Sequence, residues 1–168
     1  MKMKMIKCVA EEDYEKFTYF FLRNRNEFDD VYPILDTVGS IYTMISETNI
    51  LLFYDNDKVI AAMSYSYGTR ECNFEDKHIV FIDCSLIENK YRKSYLFIRG
   101  FQEVVRHMAE ENKDCKEVRF YAYRHHKYIH RLYKKFATVI EEKEGYFGLQ
   151  DVFSVEFDRL VTYLGRFK

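Results

Sequence analysis

The hydrophobic and polar positions along the chain predict strands that alternate with amphipathic helices. Residues 79–87 are almost continuously apolar, which is typical of a strand buried on both faces. A basic turn follows, and residues 96–112 then place apolar side chains on one face at helical spacing. Residues 118–123 predict another strand, and residues 129–136 predict a helix with its own apolar stripe.

The remaining segments predict a β-hairpin, further strands and three more helices. Two apolar runs, 50–54 and 58–67, flank a polar turn and predict the hairpin. Residues 29–37 contain the only proline and are predicted as a loop, after which Ser40 is the predicted N-cap of a short helix. The other predicted elements are a strand at residues 5–10, helices at 14–25 and 41–45, strands at 138–142 and 152–157, and a terminal helix at 158–168.

The element order β-α-α-β-β-β-α-β-α-β-β, with the terminal helix, predicts an α/β (mixed α+β) fold. The hairpin excludes a purely doubly wound parallel sheet. A chain of 168 residues is long enough to bury a substantial core without disulfide or metal support. Because no linker or repeat interrupts the pattern, one domain over residues 1–168 is expected.

The composition narrows the classes of function. The net charge of −1 argues against a nucleic-acid binder whose whole surface is basic. No apolar run approaches the roughly 20 residues that cross a bilayer, and the opening MKMKMIK is too short and too charged for a signal peptide. The four cysteines form no CxxC pair and predict free thiols in a reducing compartment. We therefore expect a cytoplasmic protein with no membrane partner.

The segment YRKSYLF, residues 91–97, places basic side chains at a helix start just after a strand, where unpaired backbone N–H groups favour phosphate. It resembles the turn of the GNAT superfamily of N-acetyltransferases, whose pattern Arg/Gln-x-x-Gly-x-Gly/Ala cradles the pyrophosphate of acetyl-CoA. Arg92 matches the basic position, whereas Tyr95 and Phe97 stand where the family has small residues. The resemblance implies a GNAT-like three-layer fold, with a mostly antiparallel central sheet and helices on both faces.

The resemblance also implies acetyl-CoA as a co-substrate, bound by the end of the strand and by the turn. The coenzyme-binding residues that it implies there are Cys84, Ser85, Leu86, Ile87, Arg92, Lys93, Ser94, Tyr95, Leu96 and Phe97.

The segment HKYIHRLYKKF, residues 126–136, is similar to the family's Asn-x-x-Ala-x-x-x-Tyr-x-x-x-Gly-Phe helix. Tyr133 falls on the family's tyrosine, which is often the general acid that protonates the departing thiolate of CoA. His126 replaces the asparagine and completes the implied coenzyme contacts, while Ile129 replaces the alanine.

Acyl transfer needs a neutral amine nucleophile, a polarised thioester carbonyl and a proton for the leaving thiolate. The family polarises the carbonyl with a backbone N–H at a splay in its fourth strand, which implies residues 84–87 here. Asp83 is the only carboxylate inside that strand and is the predicted general base, with Glu88 as a second candidate. Tyr133 is the predicted acid, because a phenol with a pKa near ~10 suits a thiol with a pKa near ~8.5.

Several of these residues also have a purely structural interpretation. Tyr133 lies on an apolar helical stripe, where a buried core residue is the ordinary outcome. Asp83 could instead hold a neighbouring loop or cap. Arg92 and Lys93 could form a solvated basic turn.

Three other features could indicate chemistry other than acyl transfer: a histidine pair, a basic and aromatic run, and Cys84. His126 and His130 have the i, i+4 spacing of a metal-binding pair, but no third ligand is evident and no metal is predicted. The basic and aromatic run 124–135 could stack and pair with nucleic acid, although an amphipathic helix explains it more simply. Cys84 is expected to be a buried, inert thiol.

Two hypotheses of function follow. The first is an N-acyltransferase that moves an acetyl group from acetyl-CoA to an unidentified amine. The second is a non-catalytic protein of the same fold that binds a partner protein or nucleic acid. Its support is that Tyr95 and Phe97 replace the family's small residues and that His126 replaces its asparagine. Either hypothesis is compatible with a homodimer.

Overall fold

The structure is a computed structural model, and it describes residues 3–28, 33–92 and 95–167. The strands are β1 Met3–Lys7, β2 Asn49–Asp55, β3 Lys58–Tyr67, β4 Ile79–Ile87, β5 Glu117–Tyr123, β6 Thr138–Gly145 and β7 Gly148–Glu156. The helices are α1 Glu11–Arg23, α2 Arg25–Phe28, α3 Ile34–Glu47, α4 Leu96–Glu111, α5 Lys127–Tyr133 and α6 Phe157–Leu164. Short 3₁₀ turns lie at Arg70–Cys72 and Asn89–Tyr91.

The described strands form one seven-stranded sheet in the order β1-β2-β3-β4-β5-β7-β6. The pairs β1–β2, β2–β3, β5–β7 and β6–β7 are antiparallel. Strands β4 and β5 are parallel, with a register that runs from Ile79 opposite Glu117 to Ile82 opposite Phe120. The predicted mixed fold with a mostly antiparallel sheet is confirmed.

Contacts along the chain divide it into two compact units, each made of two segments. The first unit comprises Met1–Ser66 and Cys84–Glu103, and the second comprises Tyr67–Asp83 and Val104–Lys168. One domain over the whole chain stays a prediction.

The core of the first unit lies between helices α1 and α3 and one face of the strands. Its buried side chains are apolar and come from alternate positions of β2, as expected for a strand with one face on this core. The members of this core are Cys8, Phe17, Phe20, Phe21, Ile41, Met44, Ile50, Leu52, Tyr54, Ala62, Cys84 and Leu86.

The opposite face of the first unit is covered by the N-terminal half of α4. Gly100 lies there, and a Cβ atom added to it would be 3.6 Å from Phe53 Cε1 and 3.8 Å from Met3 Sδ. Phe53 alternates with Leu52 and Tyr54 along β2, so its side chain leaves the sheet on the other side. Helices therefore cover both faces of the strands in this unit.

Helix α1 begins at an acidic first turn. The Asp13 carboxylate accepts hydrogen bonds from the backbone N–H groups of Val9 and Ala10, both at 3.1 Å. These bonds lower the pKa of Asp13, and they satisfy backbone N–H groups at the helix start.

The core of the second unit is largely aromatic. The Phe120 ring of β5 stacks on Phe153 of β7 with centroids 5.8 Å apart, and it meets the Phe136 ring at 5.9 Å. Phe136 in turn contacts Tyr163 of α6 at 5.0 Å. Helices α5 and α6 therefore pack against the same face of β5 and β7.

The predicted start of the second helix was wrong. Helix α3 begins at Ile34, so Ser40 lies inside it and is not an N-cap, and residues 34–37 are not a loop. Pro33 holds the N-cap position, where a residue without an N–H loses no helical hydrogen bond, and its carbonyl accepts the Thr37 N–H at 2.9 Å.

Other predicted boundaries were wrong by a few residues. The first strand lies at Met3–Lys7 and not at residues 5–10, and the terminal helix ends at Leu164.

We predict that Gly68→Ala lowers the free energy of unfolding by at least about 1–3 kcal/mol. Gly68 has a φ of +88°, and an added Cβ would lie 2.7 Å from the backbone of Phe74. Gly39→Ala is the matched control, because nothing lies within 4 Å of its added Cβ inside α3. That change should raise the free energy of unfolding by roughly 0.5–1 kcal/mol. Urea denaturation of both variants measures the difference, and equal effects would contradict the assigned backbone conformation.

Candidate functional site

The predicted site residues fall in both compact units. In the first unit, the end of β4 presents its side chains alternately to two faces. Cys84 and Leu86 are buried in the core under α1 and α3, whereas Ser85 is exposed and Ile87 is half-buried. A ligand at this strand can therefore reach only backbone groups of Cys84 and Leu86.

Arg92 is held by internal contacts at the turn after β4. Its Nε donates to the Ile87 carbonyl at 3.2 Å, and its Nη2 donates to the Glu27 carbonyl at 2.5 Å. The same Nη2 lies 3.0 Å from a Glu27 carboxylate oxygen. The guanidinium therefore ties the turn to α2, and a phosphate at this position would have to share it with Glu27. Lys93 and Ser94, the next two predicted contacts, lie outside the described residues.

The start of α4 supplies backbone donors for an anion. Arg99 N–H donates to the Tyr95 carbonyl at 3.1 Å, so the N–H groups of residues 96–98 have no carbonyl one turn earlier inside the helix. Leu96 is buried, while Tyr95 is 46% exposed and its ring does not fill the core. Phe97 is half-buried and meets Phe101 at a centroid distance of 6.2 Å. Such a helix start attracts negative charge.

Glu88 follows β4 directly, and its side chain is only 11% exposed. Arg23 Nη2 of α1 donates to one carboxylate oxygen at 2.8 Å, and Lys58 Nζ of β3 donates to the other at 2.9 Å. The Glu88 N–H donates to the Ile60 carbonyl at 3.0 Å. These contacts make Glu88 the ion-pair centre that connects α1 to β3, and its role as a general base stays a prediction.

In the second unit, Tyr133 is the last residue of α5 and is half-buried. Its ring meets Phe120 edge-on at 4.5 Å and Phe153 at 5.5 Å. It also lies 6.1 Å from the Phe136 ring. The ring therefore packs on the aromatic core, which fixes where the phenol can point.

His126 is the N-cap residue of α5, but its side chain makes no capping hydrogen bond. Its ring is perpendicular to that of His125 at 4.2 Å and to that of Tyr123 at 6.3 Å. His130, four residues later, lies with its ring edge-on to Phe153 at 5.1 Å. The two histidines thus have different aromatic neighbours.

Asp83 is the residue of β4 that follows the four residues paired with β5, and it is half-buried. It alternates with Ile82 and Cys84, so its side chain leaves the strand on the opposite face from theirs. Its role as a general base stays a prediction.

Asp151 and His130 are a buried polar pair that the sequence reasoning missed. Asp151 is 6% exposed and His130 is 9% exposed. The available signal was the position of Asp151, which shares the apolar phase of β7 with Phe153 and Val155. A charged residue on such a phase indicates a buried partner.

Two features are absent from the described ranges. Within residues 3–28, 33–92 and 95–167, no group of three or more His, Cys, Asp or Glu side chains is arranged to hold a metal ion. In those same ranges, no helix combines the length and the apolar character that crossing a membrane requires.

No protein-family model matches the chain, and no curated protein matches it. Solved structures do match it. The chain resembles the aminoglycoside N(6′)-acetyltransferase of Legionella pneumophila with a TM-score of 0.71 and 13% identity, over 97% of this chain and 98% of that one.

Two matching structures contain the coenzyme. The PaiA N-acetyltransferase of Thermoplasma acidophilum, in complex with coenzyme A, has a TM-score of 0.65 and 13% identity over 93% of this chain and 99% of that one. A GNAT family acetyltransferase of Elizabethkingia anophelis with acetyl-CoA bound has a TM-score of 0.63 and 11% identity, over 92% and 97%. The chain therefore has the GNAT fold over nearly its whole length, and the predicted fold is confirmed.

Proposed function

We propose that the protein is a GNAT-type N-acetyltransferase that moves an acetyl group from acetyl-CoA to an amine. The observation that carries the proposal is the match of 91–97% of this chain to acetyltransferase structures, among them structures that hold coenzyme A or acetyl-CoA. The described helix start at α4, directly after the turn that follows β4, supports it because its amides suit a phosphate.

Coenzyme binding in this proposal rests on backbone groups more than on side chains. The N–H groups of residues 96–98 would receive the pyrophosphate, and Tyr95 leaves room because its exposed side chain points away from the core. The backbone of residues 84–87 would hold the acyl-bearing arm and polarise the thioester carbonyl. His126 would complete the contacts as the family's asparagine does.

The chemistry in this proposal assigns one role to each candidate side chain. Asp83, or Glu88 as the second candidate, takes a proton from the acceptor ammonium so that the neutral amine attacks the thioester carbonyl. The resulting tetrahedral intermediate collapses with cleavage of the C–S bond, and Tyr133 donates its phenol proton to the thiolate of CoA. The proton that the new amide nitrogen loses restores the phenol. The acceptor is an unidentified amine.

The cellular setting belongs to the same proposal. We place the enzyme in the cytoplasm, because none of the four cysteines, all of which lie in the described ranges, forms a disulfide. No membrane partner is proposed, a nucleic acid is not expected as its ligand, and a homodimer is compatible with the proposal.

A second candidate function is a non-catalytic GNAT-fold protein that binds a partner protein or nucleic acid. The observation that favours it is the state of Arg92, whose guanidinium is engaged by Glu27 and Ile87. The aromatic residues Tyr95 and Phe97 also favour the second candidate, because small residues at these positions would let the backbone approach a phosphate closely.

We predict that acetyl-CoA stabilises the purified protein. At about 100 times Kd the gain should be roughly 2.7 kcal/mol, which corresponds to a rise in Tm of about 5–10 °C for a chain of this size. Thermal unfolding with increasing acetyl-CoA measures the rise in Tm. Pantetheine, which lacks the pyrophosphate, is the control. No rise at millimolar acetyl-CoA would contradict the enzyme and favour the second candidate.

We predict that Tyr133→Phe lowers kcat by roughly 10²–10⁴-fold and leaves the Kd for acetyl-CoA unchanged, because only the proton donor is removed. Release of free CoA thiol in the presence of a panel of amines measures kcat. Tyr128→Phe is the matched control, because Tyr128 lies on the same helix and is 63% exposed. If the two variants turn over equally, Tyr133 is not the acid.

We predict that Glu27→Gln lowers the Kd for acetyl-CoA by about 1.4- to fivefold. The change removes a carboxylate that competes with phosphate for Arg92, and exposed ion pairs of this kind contribute roughly 0.2–1 kcal/mol. Glu12→Gln removes the same charge from an exposed pair with Lys16 and is the matched control. Isothermal calorimetry measures both affinities. An equal change in the two variants would mean that the net charge of the protein, and not the contact with Arg92, causes the effect.

A further inference from the structure

Asp151 is an acidic residue on a face of β7 whose other side chains are apolar. It shares one face of β7 with Phe153 and Val155, and it is 6% exposed. Burying a carboxylate costs several kcal/mol unless charged or hydrogen-bonding groups surround it. The groups around Asp151 therefore determine whether this end of the sheet is stable.

Arg124 neutralises one side of the Asp151 carboxylate. Its Nε lies 3.1 Å and its Nη2 lies 3.0 Å from Asp151 Oδ1, and this contact raises the pKa of Arg124. The Arg124 guanidinium also pairs with Glu142 of the neighbouring strand β6. Asp151 Oδ1 is thereby satisfied, and the second oxygen, Oδ2, faces α5.

His130 is the group that meets Oδ2. Its Nε2 lies 3.7 Å from Asp151 Oδ2 and 3.3 Å from the Ala122 carbonyl oxygen of β5. The Ala122 carbonyl can only accept, so the 3.3 Å contact is a hydrogen bond when Nε2 carries the proton. His130 thus connects α5 to the carboxyl end of β5 by this contact and lies beside the Asp151 carboxylate of β7.

The position of His130 matters because α5 is short and Tyr133 ends it. A helix of seven residues is marginal by itself and depends on tertiary contacts for its placement. His130 and Tyr133 are three residues apart and therefore share a helix face, and both rings contact Phe153, at 5.1 Å and 5.5 Å. Aromatic contacts determine how deeply the Tyr133 ring is buried. The polar contact of His130 is directional and therefore constrains the orientation of α5.

We propose that His130 and Asp151 are positioning residues for Tyr133: the buried pair sets the rotation of α5 and so directs the phenol proton. The proposal rests on the acetyl transfer proposed above, in which Tyr133 is the acid. Neither residue touches substrate in this role. Arg124 and Glu142 act indirectly, because the Arg124 guanidinium holds Asp151 Oδ1 and is itself paired with Glu142.

A double-mutant cycle tests whether His130 acts through Tyr133. His130→Leu should lower kcat at least tenfold and change the KM for acetyl-CoA less than twofold, while His130→Gln, which keeps an N–H donor, should retain most of the activity. In the Tyr133→Phe background, His130→Leu should cause no further fall. An equal fall in both backgrounds, or an unchanged kcat, would overturn the proposal.

A second measurement does not depend on catalysis. In protein labelled with 3-fluorotyrosine, the fluorine resonance of Tyr133 is the one that disappears in Tyr133→Phe. Asp151→Asn and His130→Leu should shift or broaden this resonance and leave that of Tyr128 unchanged. If the resonance moves but no amine is acetylated, the positioning role holds and the proposed transferase fails. If it does not move in either variant, the positioning role fails.

Discussion

The parallel pairing of β4 with β5 is the constraint on which the candidate site depends. Parallel strands cannot be joined by a tight turn, so the chain after β4 must travel back along the sheet before β5 begins. Helix α4, Leu96–Glu111, makes this return, and its N-terminus therefore follows the carboxyl end of β4. The recorded register covers only four residue pairs and stops at Ile82 and Phe120. The parallel pairing therefore places the start of a helix after the end of β4. It also leaves the residues of β4 after Ile82 without β5 as a partner.

Charge pairing explains why the turn can depart from the family's pattern. In the first unit, Glu88 binds Arg23 and Lys58, and Glu27 binds Arg92. These contacts link Glu88 and Arg92 to neighbouring elements, so ion pairs stabilise this part of the chain. In these contacts Arg23, Lys58 and Arg92 are already paired with carboxylates. The backbone N–H groups at the start of α4 are therefore the donors best suited to bind a phosphate. A turn built this way favours stability over side-chain recognition of an anion.

Sequence periodicity predicted the strands and α4 because their apolar positions recur with one period over many residues. It failed at the start of α3, where Pro33 was taken as a loop signal, although proline fits a helix start as well. The i, i+4 spacing of His126 and His130 suggested a metal pair, but the spacing carries no information about Ala122 and Asp151, which lie next to His130 through strand pairing. Pairing between distant segments is what a single sequence reveals least.

Tyr133 combines a packed ring with a phenol whose orientation matters for the proposed chemistry. Its ring belongs to the aromatic core through Phe120 and Phe153, so the structural and the catalytic interpretations are compatible and concern different parts of one side chain. Apolar contacts alone allow a ring to rotate and slide, whereas a buried N–H facing a carbonyl and a carboxylate has one favourable direction. A helix whose motif has diverged at the asparagine and the alanine can therefore still hold a tyrosine in a fixed orientation. Orientation, more than the surrounding motif, is what proton transfer to a thiolate requires.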